Sequence, residues 1–185
     1  MMRVILRMAT LGALALGGCA GPVIHSTYLE SGYAPSHVTL AAANNPALAV
    51  IRNNPFAADH GNEAVLAAIQ AQNFGPKLYF SQTPRAEDRY GYKVVLDFGQ
   101  GAYATAELCR QEAAPAAPRP PGSRIDVSAA FCIGRIPLSE TTGWVEGVDG
   151  PNDLAFRNLM SQIMLALTPP VDPRRNDHDE MCPAC

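Results

Sequence analysis

Hydrophobic and polar positions alternate most clearly in two stretches. In residues 90–98 (YGYKVVLDF), Tyr92, Val94, Leu96 and Phe98 fall on one side and Lys93, Val95 and Asp97 on the other. In residues 124–136 (RIDVSAAFCIGRI), Ile125, Val127, Ala129, Phe131 and Ile133 alternate with Asp126, Ser128, Ala130, Cys132 and Gly134. A period of two is that of a strand with one face on a core, so both stretches are predicted strands. Residues 138–148 (LSETTGWVEGV) read as a partner strand with a glycine irregularity, and residues 77–83 (KLYFSQT) as another strand. Residues 37–43 (HVTLAAA) read as a first strand, with Val38 and Leu40 on one face; residues 102–109 read as a short strand or a turn of helix.

Spacings of three and four predict helices. In residues 59–73, Ala64, Val65, Ala68, Ile69 and Gln72 form a narrow stripe that suits packing on a sheet. Asp59 stands at the cap position and Glu63 in the first turn, where the helix dipole favours an anion. Asn73, Gly75 and Pro76 end the helix. In residues 151–167, the stripe is Leu154, Ala155, Leu159, Ile163, Met164 and Leu167, with Pro151 tolerated at the start. Asp153 and Arg157 form an i, i+4 pair on the outer side, and Pro169 and Pro170 stop the helix. Asn-Asn-Pro occurs at 44–46 and again at 53–55, a turn signal each time. Residues 112–123 (EAAPAAPRPPGS) are a loop, because proline cannot donate to a sheet ladder. The order is β-α-β-β-(β)-β-β-α. It predicts an α+β two-layer sandwich, with an antiparallel or mixed sheet of about four to six strands and two helices on one face.

The 185 residues suit a single domain, placed at residues 37–168. Hydrophobic residues make up 48% and charged residues 17%, which argues against disorder over most of the chain. The net charge of −3 lacks the basic footprint of a nucleic-acid binder. Sixteen prolines and fifteen glycines predict short elements and long loops.

Residues 1–20 (MMRVILRMATLGALALGGCA) bring in an address. Arg3 and Arg7 form a positive start, and residues 8–16 an apolar stretch that is too short to span a bilayer and has the length of a secretory h-region. It ends Leu16-Gly17-Gly18-Cys19. This resembles the signal of bacterial lipoproteins, in which cleavage falls just before the cysteine. The resemblance implies removal of residues 1–18, a diacylglyceryl thioether on Cys19 and an N-acyl chain such as palmitate. It further implies a lipid-anchored envelope protein. Ala20, where aspartate tends to mark retention at the inner membrane, points to the outer membrane, facing the periplasm. More than one acyl chain makes the anchor firm. Residues 19–36 then read as a lipidated tether that holds the domain off the headgroups, since they mix Gly, Pro, Ser and Tyr without period. In layout alone, the domain is similar to small periplasmic lipoproteins of uncharacterised or assembly-related role.

With Cys19 acylated, four cysteines remain in an oxidising compartment. Cys109 and Cys132 flank the Pro/Ala loop; a bridge between them stabilises by about 3 kcal/mol in the chain-entropy model. Cys182 and Cys185 form a CxxC at the end of a charged stretch, residues 169–185, read as a disordered tail. That CxxC is open to three readings: a passive disulfide, a redox pair, or, with His178, a zinc or copper(I) site. Asp177, Asp179 and Glu180 lie beside it, whereas His25, His37 and His60 are scattered.

Candidate chemistry is sparse. Gly99-x-Gly101 lacks the remainder of a phosphate loop, and GxSxG, HExxH and SxxK do not occur. Asp97 with Glu107, and Asp126 with Glu146, read as solvated outer-face carboxylates rather than acid–base pairs. Trp144 reads either as a core residue or as an anchor for a partner. The expectation is a non-enzymatic envelope lipoprotein without a cofactor that binds or braces an envelope protein. The alternative is a metal or thiol-redox module built on the tail.

Overall fold

The computed structural model describes residues 21–56, 61–85, 90–99, 107–110 and 124–171. The chain runs β1 (Val23–Leu29), α1 (Ser36–Ala43), β2 (Ala47–Arg52), α2 (Gly61–Ile69), β3 (Phe80–Ser81), β4 (Tyr92–Asp97), β5 (Ile125–Ile133), β6 (Ile136–Val145) and α3 (Leu154–Leu167). The strands form one open mixed sheet in the order β1-β6-β5-β4-β2-β3. The half from β1 to β4 is antiparallel; β2 joins β4 in parallel, and β3 joins β2 in parallel. This is the predicted α+β layout, with three helices among the described residues where two were expected. Among the described residues, no helix is long and apolar enough to cross a membrane.

One face of the sheet carries the core. Val94 and Leu96 of β4, Ala129 and Phe131 of β5 and Val145 of β6 are buried against Val65 and Ile69 of α2 and the inner side of α3. The strand alternation delivers these residues to one side, and each large side chain so buried stabilises the fold by about 1.5–3 kcal/mol. Phe156 of α3 meets Phe56 edge-on, with ring centroids 4.9 Å apart. Facing α3, β6 presents the small residues Ser139, Thr141 and Gly143. A Cβ on Gly143 would lie 2.8 Å from the Val23 carbonyl oxygen and 3.2 Å from Leu159 Cδ1. The glycine irregularity of the sequence is therefore a docking groove. Asp153 caps α3 by accepting a hydrogen bond from the Ala155 amide at 2.8 Å.

Several expectations are corrected. Residues 23–29, read as part of a tether, are an edge strand. A register shift between Ile24 and Ser26 breaks the alternation, so that Ile24 and Leu29 reach the core side without a period of two between them. Residues 37–43, read as a strand, lie in α1. Its buried residues Val38 and Ala41 are three apart, and Leu40 is exposed. β2, which lies between the two Asn-Asn-Pro turn signals and was not predicted, sits between β3 and β4. The predicted 77–83 strand shrinks to two residues. In α3, Leu154 is 71% exposed and Phe156 takes its place in the buried stripe. The expected loop at 112–123, the cap Asp59 and the tail beyond 171 lie outside the described residues.

Candidate functional site

The face turned away from the helices carries the buried charge. The strand registers lay out three rows there. Arg52, Asp97, Ser128, Thr142 and Ser26 run side by side across five strands; the next row is Val50, Val95, Ala130, Glu140 and Tyr28; the third holds Leu48, Lys93 and Cys132. Arg52 and Glu140 are only 5% and 4% exposed, and both are engaged within the fold. Burial of an uncompensated charge costs several kcal/mol, so those contacts are what allow the two residues to sit there. Asp97 accepts hydrogen bonds from Asn53 Nδ2 and the Gly99 amide, each at 2.8 Å. It ties the ends of β2 and β4 together. Ser26 and Thr142 share a hydroxyl–hydroxyl bond of 2.8 Å.

The same face holds the disulfide. Cys109 and Cys132 are bonded, with Cα atoms 5.9 Å apart and a sequence separation of 23. The link pins the turn at 107–110 onto β5, and Leu108 and Cys109 join Val95, Ala130 and Cys132 in a small second apolar cluster. The Lys93 ammonium donates to the Cys109 carbonyl at 3.0 Å. Burial lowers the Lys93 pKa below its ordinary 10.5, and the nearby cations Arg52 and Arg135 add to the effect.

On the core side, His37 of α1 meets Tyr92 of β4, with Nδ1 2.9 Å from the phenolic oxygen. Nε2 lies 3.1 Å from the Gly32 carbonyl oxygen, an acceptor that fixes Nε2 as the donor, so in the neutral ring Tyr92 donates to Nδ1. Burial raises the Tyr92 pKa above 10.0, and the neighbouring Tyr90 adds to the rise, which keeps the hydroxyl protonated. The pair fastens helix to sheet.

Trp144 is half-buried and lies on the face opposite the core, in register with Asp126 on one side and Val23 on the other. The core reading of Trp144 is thereby corrected. The Arg124 guanidinium stands 4.4 Å above the indole centroid, and its Nε donates to Asp126 Oδ1 at 2.8 Å. Asp126 is thus engaged by Arg124, two positions away; Glu146 is exposed beyond the end of β6, and Glu107 lies in the disulfide turn. His25 is exposed on β1. Among the described residues, no group of three or more His, Cys, Asp or Glu side chains is placed to hold a metal ion; Cys19, His60, His178, Cys182 and Cys185 lie outside them. Sequence reasoning missed Arg52 and Glu140. The signal for each was a lone charge inside an apolar or small-residue run, ALAVIR and LSETTGW.

No protein-family model, curated protein or solved structure matches the chain.

Proposed function

We propose that this chain is a bacterial lipoprotein, acylated on Cys19 and held at the periplasmic side of the outer membrane. Its role there is non-enzymatic: it binds or braces an envelope protein. The observation that carries this reading is the Leu16-Gly17-Gly18-Cys19 box behind a short apolar leader. Trp144, half-buried on the face opposite the core with Arg124 stacked over it, supports a recognition role. Among the described residues, the Tyr92 hydroxyl and the His37 ring lock one another in a structural contact.

The test is intact mass after expression with the native leader in a two-membrane bacterium. The expected product begins at Cys19 and carries diacylglyceryl and acyl groups, whereas Cys19→Ser yields an unlipidated protein that leaves the membrane fraction. An unmodified cysteine in the wild-type product overturns the reading. Native mass of the soluble domain, with and without residues 172–185, covers the role itself. A metal that binds only when the tail is present would replace the binding role with the metal reading.

A further inference from the structure

The end of the sheet nearest the anchor carries an interaction surface. β1 begins at Val23, and Pro22 before it is already half-buried. Three residues, Ala20, Gly21 and Pro22, separate Val23 from Cys19. An extended chain advances at most ~3.6 Å per residue, so Val23 lies within about 14 Å of the acylated cysteine. The headgroup layer alone is roughly 5–8 Å thick. The connection leaves almost no tether.

What stands at that end follows from the register. Val23 is 37% exposed and pairs with Trp144, over which Arg124 is stacked. α3 starts at the same end, because it runs back along β6, and its first residue, Leu154, is 71% exposed. An indole, a guanidinium on an aliphatic stem and two bare aliphatic side chains suit the boundary between headgroups and acyl chains.

We propose that, given acylation of Cys19, the Val23–Trp144–Arg124 end of the sheet, with Leu154, rests on the phospholipid surface of the membrane that holds the anchor. The two ends of β1 then differ in role. The sheet stands on its Val23 end, and the Leu29 end points into the periplasm. The exposed Glu146 and Asp149 close to Trp144 mean that attraction to anionic lipid is not the cause. The short connection and apolar contact are, so the contact persists in high salt.

Trp144 is the sole tryptophan of the sequence, so its fluorescence reports this surface alone. The lipidated full chain is reconstituted into vesicles of phosphatidylethanolamine and phosphatidylglycerol, with and without bromine on the upper acyl carbons. The expected result is loss of Trp144 emission in the brominated vesicles at both low and high salt. A Gly/Ser insertion of about twenty residues between Gly21 and Pro22, spanning roughly 25 Å, restores the emission. Unquenched emission from a chain whose mass shows the lipid overturns the orientation and leaves the lipoprotein reading standing. Quenching that survives the insertion overturns the short connection as its cause. A mass without lipid on Cys19 overturns both readings.

Discussion

The two faces of the sheet are built on different principles. The helix-covered face is a continuous apolar core in which Phe131, Phe156, Leu159, Ile163 and Met164 are all but fully buried. Its strength is area, and it uses polar groups chiefly at its margins, as in the Tyr92–His37 contact. The opposite face has a small apolar cluster, buried charges and a covalent link. Beside the small apolar cluster among the described residues, the Cys109–Cys132 bond and the hydrogen bond from Lys93 to the Cys109 carbonyl hold the turn at 107–110 in place.

Core truncation should separate the faces most sharply. Phe156→Ala removes a ring packed on Phe56 and Phe98 and is expected to cost about 3–5 kcal/mol in denaturant unfolding. Replacement of both Cys109 and Cys132 by Ser should cost about 2–4 kcal/mol, while hydrogen exchange in α2 and α3 keeps its native pattern. Equal loosening of the two faces would mean that they are not separable. Gly143→Ala crowds the groove under α3 and should cost about 1–3 kcal/mol, with the thermal midpoint falling. Asp153→Ala removes the cap of α3 and should cost about 1 kcal/mol.

The smallest effects lie in the alkaline pH dependence, where the neighbours Tyr92 and Lys93 act in opposite directions. The folded state holds Tyr92 protonated beyond its ordinary 10.0, so its contribution is complete below that pH and is lost as pH rises toward the raised value. Folded Lys93 releases its proton below 10.5, so stability increases as pH climbs from that lowered value to 10.5. Unfolding titrations should therefore show Tyr92→Phe removing the loss above pH 10, and Lys93→Met removing the gain below 10.5. A wild-type-like profile for Lys93→Met would remove Lys93 from the account of the face opposite the core.

Elements whose core-side residues recur with a fixed period were legible in the sequence. β4 and β5 appear at nearly their true bounds because Tyr92, Val94 and Leu96, and Ile125, Val127, Ala129 and Phe131, repeat every second residue on the core side, although Val95, Ala130 and Cys132 on the other side are buried as well. α2 and α3 show as stripes for the same reason. β1 was hidden because it is an edge strand with a register shift, in which Ser26, Thr27 and Tyr28 face solvent. α1 was hidden because eight residues show barely two turns, and Val38 with Leu40 mimics a strand. Of the face opposite the core, the alternation placed Lys93, Val95, Asp97 and Cys132, and the spacing around the Pro/Ala loop gave the cysteine pair. Arg52 and Glu140 were marked only as lone charges in apolar or small-residue runs, and which such charge distant strands will bury is not a local property.

By itself, then, the sequence determined the α+β class and the two amphipathic helices, because periodicity is a local record of which side chains leave water. The tertiary structure alone decided strand order, the side of the sheet on which Trp144 falls, and the pairing of Val23 with it. Those depend on register between segments more than a hundred residues apart, and no local pattern carries that information. The first strand thus starts beside the would-be anchor, where a loose tether was expected, because β6 offered an edge on which residues 23–29 could complete their backbone hydrogen bonds.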